Sequence, residues 1–442
     1  MDEIQQGEVV EFLRTLIRFD TTNWGDGRSA GERDAAEWMA AQLTAVGFEP
    51  EVLARADAPE RANLVLRVPG ADRSLPALLV HAHLDVVPAE PEQWTRDPFS
   101  ADISDGRIWG RGALDMKDMC ASVLSTLLHW GRTGERPTRD VVVAFVADEE
   151  DRGEFGAAWL VAEHPALFAG VEAAVGESGG SHRALPTPGG TVDLFAIAAA
   201  ERGTMHIVLT ARGRSGHASR PTGDDAVRRL LDALHRIATH AWPIHLSPAV
   251  RAYLDGVATA LGIPADLDSD TGVQACVDAL GEHADVAKFT VRASSTPTMV
   301  TAGYKVNVIP GIATAAVDVR CPPGFEEALP PALAALVGDD VSFEFTHFES
   351  PVQAPVDSPW FAAMSAAVRR ALPDALVVPF CMGGGTDAKA FSRLGIACYG
   401  FAPHGPAARG SYGDGVHGVD ENISIDSLRW GATVLQDFLT TV

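Results

Sequence analysis

Leu79-Val80-His81-Ala82-His83-Leu84-Asp85-Val86-Val87-Pro88 reads as a buried strand that delivers polar side chains at its C-terminal end. An apolar run enters it and Pro88 closes it. In open α/β sheets ligands gather outside the carboxyl ends of the strands, so chemistry is expected here. Residues 81, 83 and 85 share strand parity, and His83 and Asp85 can therefore project the same way. A neutral imidazole binds Zn²⁺ well, and a nearby carboxylate can hold its other N–H. The alternative is a pair of core histidines satisfied by backbone groups; the stretch alone leaves both open.

Outward from this strand, helices and strands alternate. Residues 8–18 place Val9, Val10, Phe12, Leu13, Leu16 and Ile17 on one helical face, and Ser29 to Gly47 reads as a second helix. Strands are expected at 64–68, 78–80, 141–147 and 173–175, with a helix from about 118 to Trp130. This predicts an α/β domain whose mixed, largely parallel sheet carries helices on both faces. Near residue 200 the pattern changes to strand, helix, strand, strand, helix, strand: 204–211, 224–239, 299–308, 314–320, 325–337 and 341–348. Residues 243–290 form a mainly helical insertion in it. That order predicts an α+β sandwich inserted into the first domain. The expected boundaries are 1–200 and 349–442 for the two parts of the first domain and 201–348 for the inserted one. A helix at 360–371 and strands near 376–381 and 396–401 resume the first domain.

The net charge is −24, from 35 Lys and Arg against 59 Asp and Glu, and Lys occurs only at 117, 288, 305 and 389. Nucleic acid and anionic membranes are therefore not expected partners. The N-terminus lacks a basic region followed by an apolar core, and no apolar stretch approaches a membrane span. Five cysteines without a C-x-x-C read as reduced thiols of a cytoplasmic protein.

Acidic and histidine clusters terminate separate expected strands or loops: His83/Asp85, Asp115, Glu149/Glu150 and Glu177, with His417 able to join them. Each has a plainer explanation alone. Asp115 suits a helix cap, Asp148–Asp151 a solvated turn, and His417 an ordinary loop. Together they suit a two-metal hydrolase, which needs private ligands for each ion and a carboxylate bridging them at ~3.5–4 Å. It also needs a further carboxylate as proton acceptor. Adjacent Glu149 and Glu150 can divide these roles, because neighbouring side chains at a strand end point different ways.

Eight motifs in order, HAHLDVVP, GRGALDMKD, ADEEDRG, GESGG, GRSGHASRP, NVIPG with DVR, GGGTDA and GVHGVDE, resemble the M20 family of co-catalytic zinc exopeptidases and deacylases. That family includes acetylornithine deacetylase, succinyl-diaminopimelate desuccinylase, aminoacylase-1, carboxypeptidase G2 and carboxypeptidase S. The resemblance implies a zinc-exopeptidase-like fold with an inserted lid and dimerisation domain, and a homodimer formed through that domain. It implies two divalent ions, Zn²⁺ with Co²⁺ or Mn²⁺ as alternatives. His83 and Glu177 would bind one ion, Glu150 and His417 the other, and Asp115 would bridge. Asp85 would orient His83, and Glu149 would be the general base acting on a metal-bound water. His217 matches the oxyanion-stabilising histidine. Asn307, Arg320, Gly384, Gly385 and Thr386 match positions that hold the substrate's carboxylate, a role suited to the planar guanidinium fork. A cis peptide would fall at Asp115–Met116. His81 has no counterpart as a ligand and is expected to be structural. The implied activity is cleavage of an amide next to a free carboxylate, as in N-acyl amino acids or short peptides.

Two rivals remain at this level. Gly176-Glu177-Ser178-Gly179-Gly180 satisfies G-x-S-x-G, the nucleophile elbow of serine hydrolases, and follows an expected strand. It leaves His83, Asp115 and Glu149/Glu150 unexplained. A non-catalytic metal- or peptide-binding protein on the same fold would lack the base, yet Glu149 is present.

Overall fold

Four strands rich in Val, Leu and Ala, buried on both faces, run parallel through the centre of the main sheet. They are Val141–Val146, Ala77–His83, Val171–Gly176 and Ala397–Gly400. Continuous apolar runs of this kind are what a parallel sheet covered by helices requires. The flanks are antiparallel. Ala62–Val68 and Glu51–Ala54 extend one side, Gly190–Glu201 and Ser181–Thr187 the other. The computed structural model describes residues 1–406 and 415–442.

The chain divides into two compact units. Unit 1 comprises Met1–Ala199, Ala354–Pro379 and Thr386–Val442; unit 2 comprises Ala200–Gln353 and Phe380–Gly385. In unit 1, helices Glu3–Arg18, Lys117–Thr133 and Ile425–Thr441 pack on one another, while Ala157–Glu163 packs on Ala388–Ser392, which lies against strands Val171–Gly176 and Ala397–Gly400. The opening helix starts at a capping box between Asp2 and Gln5 and buries Val9, Val10, Leu13, Leu16 and Ile17. Lys117–Thr133 is buried nearly all round and stops at Gly134, whose φ of 74° is the left-handed cap that glycine supplies without strain.

Unit 2 is a four-stranded antiparallel sheet in the order Ser294–Ala302, Ile312–Cys321, Gly203–Arg212, Val341–Glu349. Alternation decides its faces. Met205, Ile207, Leu209, Val317 and Val319 point to a core closed by Leu230 and Ile237 of helix Ala226–Thr239 and by Leu333 of Leu329–Val337. Helices Pro248–Leu261 and Asp270–Leu280 form the insertion. The strand expected over 299–308 instead runs Ser294–Ala302, because Gly303 turns the chain with φ +69°. Val308–Ile309 then pairs with Gly216–His217. The hairpin of Ser181–Thr187 and Gly190–Glu201 is also an addition to the expected elements. No helix among the described residues is long and apolar enough to cross a membrane.

Candidate metal centre

Parallel register brings distant residues together. His83 ends its strand opposite Val146, after which the chain turns through Asp148, Glu149 and Glu150. Glu177 directly follows Val171–Gly176, the next parallel strand. Asp115 stands two residues before helix Lys117–Thr133, and its peptide bond to Met116 is cis. His83 Nε2 lies 2.9 Å from Asp115 Oδ1 and 3.9 Å from both Glu149 Oε2 and Glu177 Oε2. The other oxygen of Asp115, Oδ2, lies 3.2 Å from His417 Nε2, which is also 3.2 Å from Glu150 Oε2. Two overlapping donor groups result, His83/Glu149/Glu177 and His83/Asp115/Glu150, each with its ligand atoms within 4.8 Å of one another. One imidazole with two carboxylates is a donor set suited to Zn²⁺ and related divalent ions.

The electrostatics fit a cation. Burial and the neighbouring carboxylates push Glu149 and Glu177 well above the usual carboxyl range, and burial raises Glu150. Burial opposes ionisation of Asp115, but hydrogen bonds from His417 and His83 hold its pKa below the ordinary value. His417 is raised to about 10 by its bonds to Asp115 and Glu150. His83 is raised despite its burial, by Asp115, Glu149 and Glu177. Carboxyls this close repel one another unless positive charge lies among them, and a divalent ion is the natural source.

A buried frame behind the cluster fixes the turn. The carboxylate of Asp85 accepts from Asn23 Nδ2 at 2.9 Å and from the backbone N–H groups of Glu149 and Glu150 at 3.1 and 3.2 Å. His83 Nδ1 is held by the main-chain carbonyl of Asp85 at 2.9 Å, while the Asp85 carboxylate is 3.7 Å away. Asp85 therefore touches His83 through its backbone and spends its side chain on the turn. Asp148, at φ +69°, is held by Asn23 and by Arg61, whose guanidinium also binds Glu32 at 2.9 Å. On the other side, Glu421 accepts from the N–H groups of Leu114 and Asp115 at 2.7 and 3.2 Å and pairs with Arg111 at 2.6 Å. Arg61, Glu32, Asn23, Arg111 and Glu421 were not among the expected site residues. Arg111 and Glu421 lie inside two of the motifs; the others carry no local signal.

The remaining expected residues fall as follows. His81 is buried against Phe391, its Nε2 has no hydrogen-bond partner among the described residues, and burial lowers its pKa to about 3. It fits only because residue 176 is glycine, where a Cβ would stand 2.2 Å from the His81 ring. Ser178 occupies a turn with φ +69° just after Glu177. Thr386 lies in unit 1, mostly buried, and caps Ala388 N–H. His217, Asn307, Arg320, Gly384 and Gly385 belong to unit 2. There His217 and Asn307 are exposed neighbours, linked by Ala218 N–H to the Asn307 carbonyl at 3.1 Å. Arg320 forms a two-pronged pair with Asp318 at 2.7 and 2.9 Å and donates to Thr204.

Residues 79–441 match the peptidase family M20/M25/M40. The chain belongs to that family. Rat aminoacylase-1B is 29% identical over 361 residues, covering 78% of this chain and 76% of the rat protein. Among solved structures, the M20 metallo-carboxypeptidase Sso-CP2 of Sulfolobus solfataricus superposes with a TM-score of 0.72 at 19% identity, covering 100% of this chain and 99% of its own. The dinuclear metal-binding M20 peptidase YXEP of Bacillus subtilis superposes at 0.64 and 15% identity, over 100% of both chains. The M20 fold is thus shared along the whole chain, and membership makes this protein a hydrolase.

Proposed function

We propose that the protein is a two-metal amidohydrolase, with Zn²⁺ as the native ion and Co²⁺ or Mn²⁺ as working substitutes. It cleaves an amide next to a free carboxylate, as in an N-acyl amino acid or a short peptide. The supporting observation is Asp115, whose two oxygens face two different histidines. A bridging carboxylate needs that disposition. His83 and Glu177 would hold one ion, Glu150 and His417 the other. When bound, the ions polarise the scissile carbonyl and lower the pKa of water.

The chain's own residues do the rest. Glu149, its affinity for a proton raised by burial and by Glu177, takes the proton of the attacking water and delivers it to the leaving amine. Asp85 keeps His83 and the Glu149–Glu150 turn in register. His217 donates to the developing oxyanion. Asn307, Arg320, Gly384, Gly385 and Thr386 receive the substrate's carboxylate. The relation to aminoacylase-1B supports this class of substrate.

A homodimer through unit 2 accompanies this proposal. Ser294–Ala302 is an edge strand that exposes Met299 by 67% and Val300 by 58%, a template for pairing with a second copy. Light scattering should give twice 46.7 kDa, and Met299→Lys should shift it toward the monomer. All five cysteines are buried and none forms a disulfide, which suits the reducing cytoplasm.

The deciding experiment strips the protein with chelator, refills it with Zn²⁺, Co²⁺ or Mn²⁺, and assays N-acetyl amino acids, N-succinyl-diaminopimelate and dipeptides. Activity should vanish and return with metal. Activity indifferent to chelation would overturn the proposal and return attention to Ser178.

A further inference from the structure

Unit 2 contains a cavity of about 570 Å³ lined by Arg202, Lys288, Arg292 and Arg320, with Asp318 as an acidic neighbour and Gly383–Gly384 as part of its wall. Four cations gather there in a chain with 35 basic and 59 acidic residues. One of them is among its four lysines. Such local reversal of the overall charge concentrates anions.

The donors can be counted. A guanidinium carries five N–H groups. Arg202 is only 8% exposed. Its Nε donates to the Gly383 carbonyl at 3.2 Å, and its Nη1 to the Phe289 carbonyl at 2.7 Å and to Ser294 Oγ at 3.1 Å. Every one of those acceptors is neutral, and no carboxylate among the described residues lies within ion-pair reach of Arg202. Both N–H groups of its Nη2 therefore remain available, and Gly383 lies beside that nitrogen, where even a Cβ would stop 3.6 Å away. Arg320 commits Nε and one Nη2 hydrogen to Asp318 and one Nη1 hydrogen to Thr204, which leaves two. A single carboxylate takes two such bonds from one guanidinium. Lys288, paired with Asp285 at 2.5 Å, and Arg292, which donates one Nη2 hydrogen to Gln274 at 2.7 Å, flank them, and the two guanidiniums with open donors already exceed what one carboxylate needs.

We propose that this cavity receives two carboxylates, so that the substrate is a dicarboxylic amide. Arg202 and Arg320 supply the guanidinium donors, and Lys288 and Arg292 the additional charge. This rests on the proposed hydrolase function, because Arg320 and Gly384 are the residues assigned there to the substrate's carboxylate. The second carboxylate belongs either to an acidic amino acid or to a dicarboxylic acyl group.

The test uses the metal-loaded protein and the double variant Lys288→Gln/Arg292→Gln, neither of whose native side chains is buried in the core. N-acetyl-glutamate is compared with its neutral isostere N-acetyl-glutamine, and N-succinyl-leucine with N-acetyl-leucine. A preference of at least tenfold in kcat/KM for N-acetyl-glutamate places the second charge on the amino-acid side; the same preference for N-succinyl-leucine places it on the acyl side. In either case the double variant should lower the ratio at least fivefold, mainly through KM. Equal rates for charged and neutral members of both pairs would overturn the inference and leave the hydrolase proposal standing, as would a preference that survives in the double variant. If no amide is cleaved, the hydrolase proposal fails, and calorimetry with glutarate still decides the cavity. Saturable binding weakened at least tenfold by the double variant supports a dicarboxylate site, and absence of glutarate binding overturns it.

Discussion

The acidic cluster of unit 1 and the basic cavity of unit 2 are built on opposite plans. In unit 1, His83, Asp115, Glu149, Glu150 and Glu177 stand at the ends of buried strands and turns; Asp85 holds the Glu149 and Glu150 N–H groups, Glu421 holds that of Asp115, and Arg61 pairs with the neighbouring Asp148. Charge there is expensive to bury, so geometry and stability are bound together. In unit 2, Arg202 is fastened by neutral acceptors, and Lys288 and Arg292 reach in from partly exposed positions. Changes there should alter recognition more than folding. The contrast teaches that one chain can separate the chemistry that must be rigid from the contacts that choose a ligand.

The largest expected effect tests the rigid half. Glu149→Gln should lower kcat by about 10²–10⁴-fold, the usual contribution of a positioned proton carrier, with two metals still bound by elemental analysis. Loss of one metal together with activity would make Glu149 a ligand. Next is Arg61→Met, which leaves Asp148 buried without its cation and the Glu32 carboxyl without its hydrogen-bond donor. It should cost about 3–5 kcal/mol in urea unfolding, as breaking a buried pair generally does. A cost below about 1 kcal/mol would show that the frame is dispensable and would blur the contrast. Arg320→Met should act in the other half, raising KM by about tenfold, the worth of one charge-assisted hydrogen bond, with little change in Tm. A loss confined to kcat would move Arg320 away from substrate binding.

A pH slope tests the same buried frame. Burial, with help from Asp85 and Asp148 and against Arg61, raises the Glu32 carboxyl to about 8 from an ordinary 4.5. Between those values the folded state holds a proton that the unfolded chain has released. The stability contributed by this group is therefore full below about 4.5 and declines as pH rises through about 8. Glu32→Gln should flatten that limb in unfolding curves at pH 5, 6.5 and 8, and an unchanged slope would remove Glu32 as its source.

Much of this arrangement is legible in the sequence. The apolar runs ending in His83, Asp148 and Glu177 betray parallel strands whose carboxyl ends converge, because such strands leave no alternation to misread. The hairpin of Ser181–Thr187 and Gly190–Glu201 hid itself, since Pro186 and the Gly189-Gly190 pair mimic a loop and Ala198–Ala200 lack the residues usual in strands. Arg61 was invisible for another reason. Its partners Glu32 and Asp148 lie 29 and 87 residues away in the chain, so no local pattern records the network. Arg202 likewise looks like an ordinary arginine until its carbonyl and hydroxyl partners are seen.

The fit of His81 over Gly176 makes two positions on neighbouring strands answer for each other. A methyl group at 176 has no room while an imidazole stands at 81, so the two sites should change together among related proteins, never the glycine first. Gly176→Ala alone should displace the strand end that carries Glu177, and adding His81→Ala should restore it. Each single letter is thus readable as half of a two-letter word.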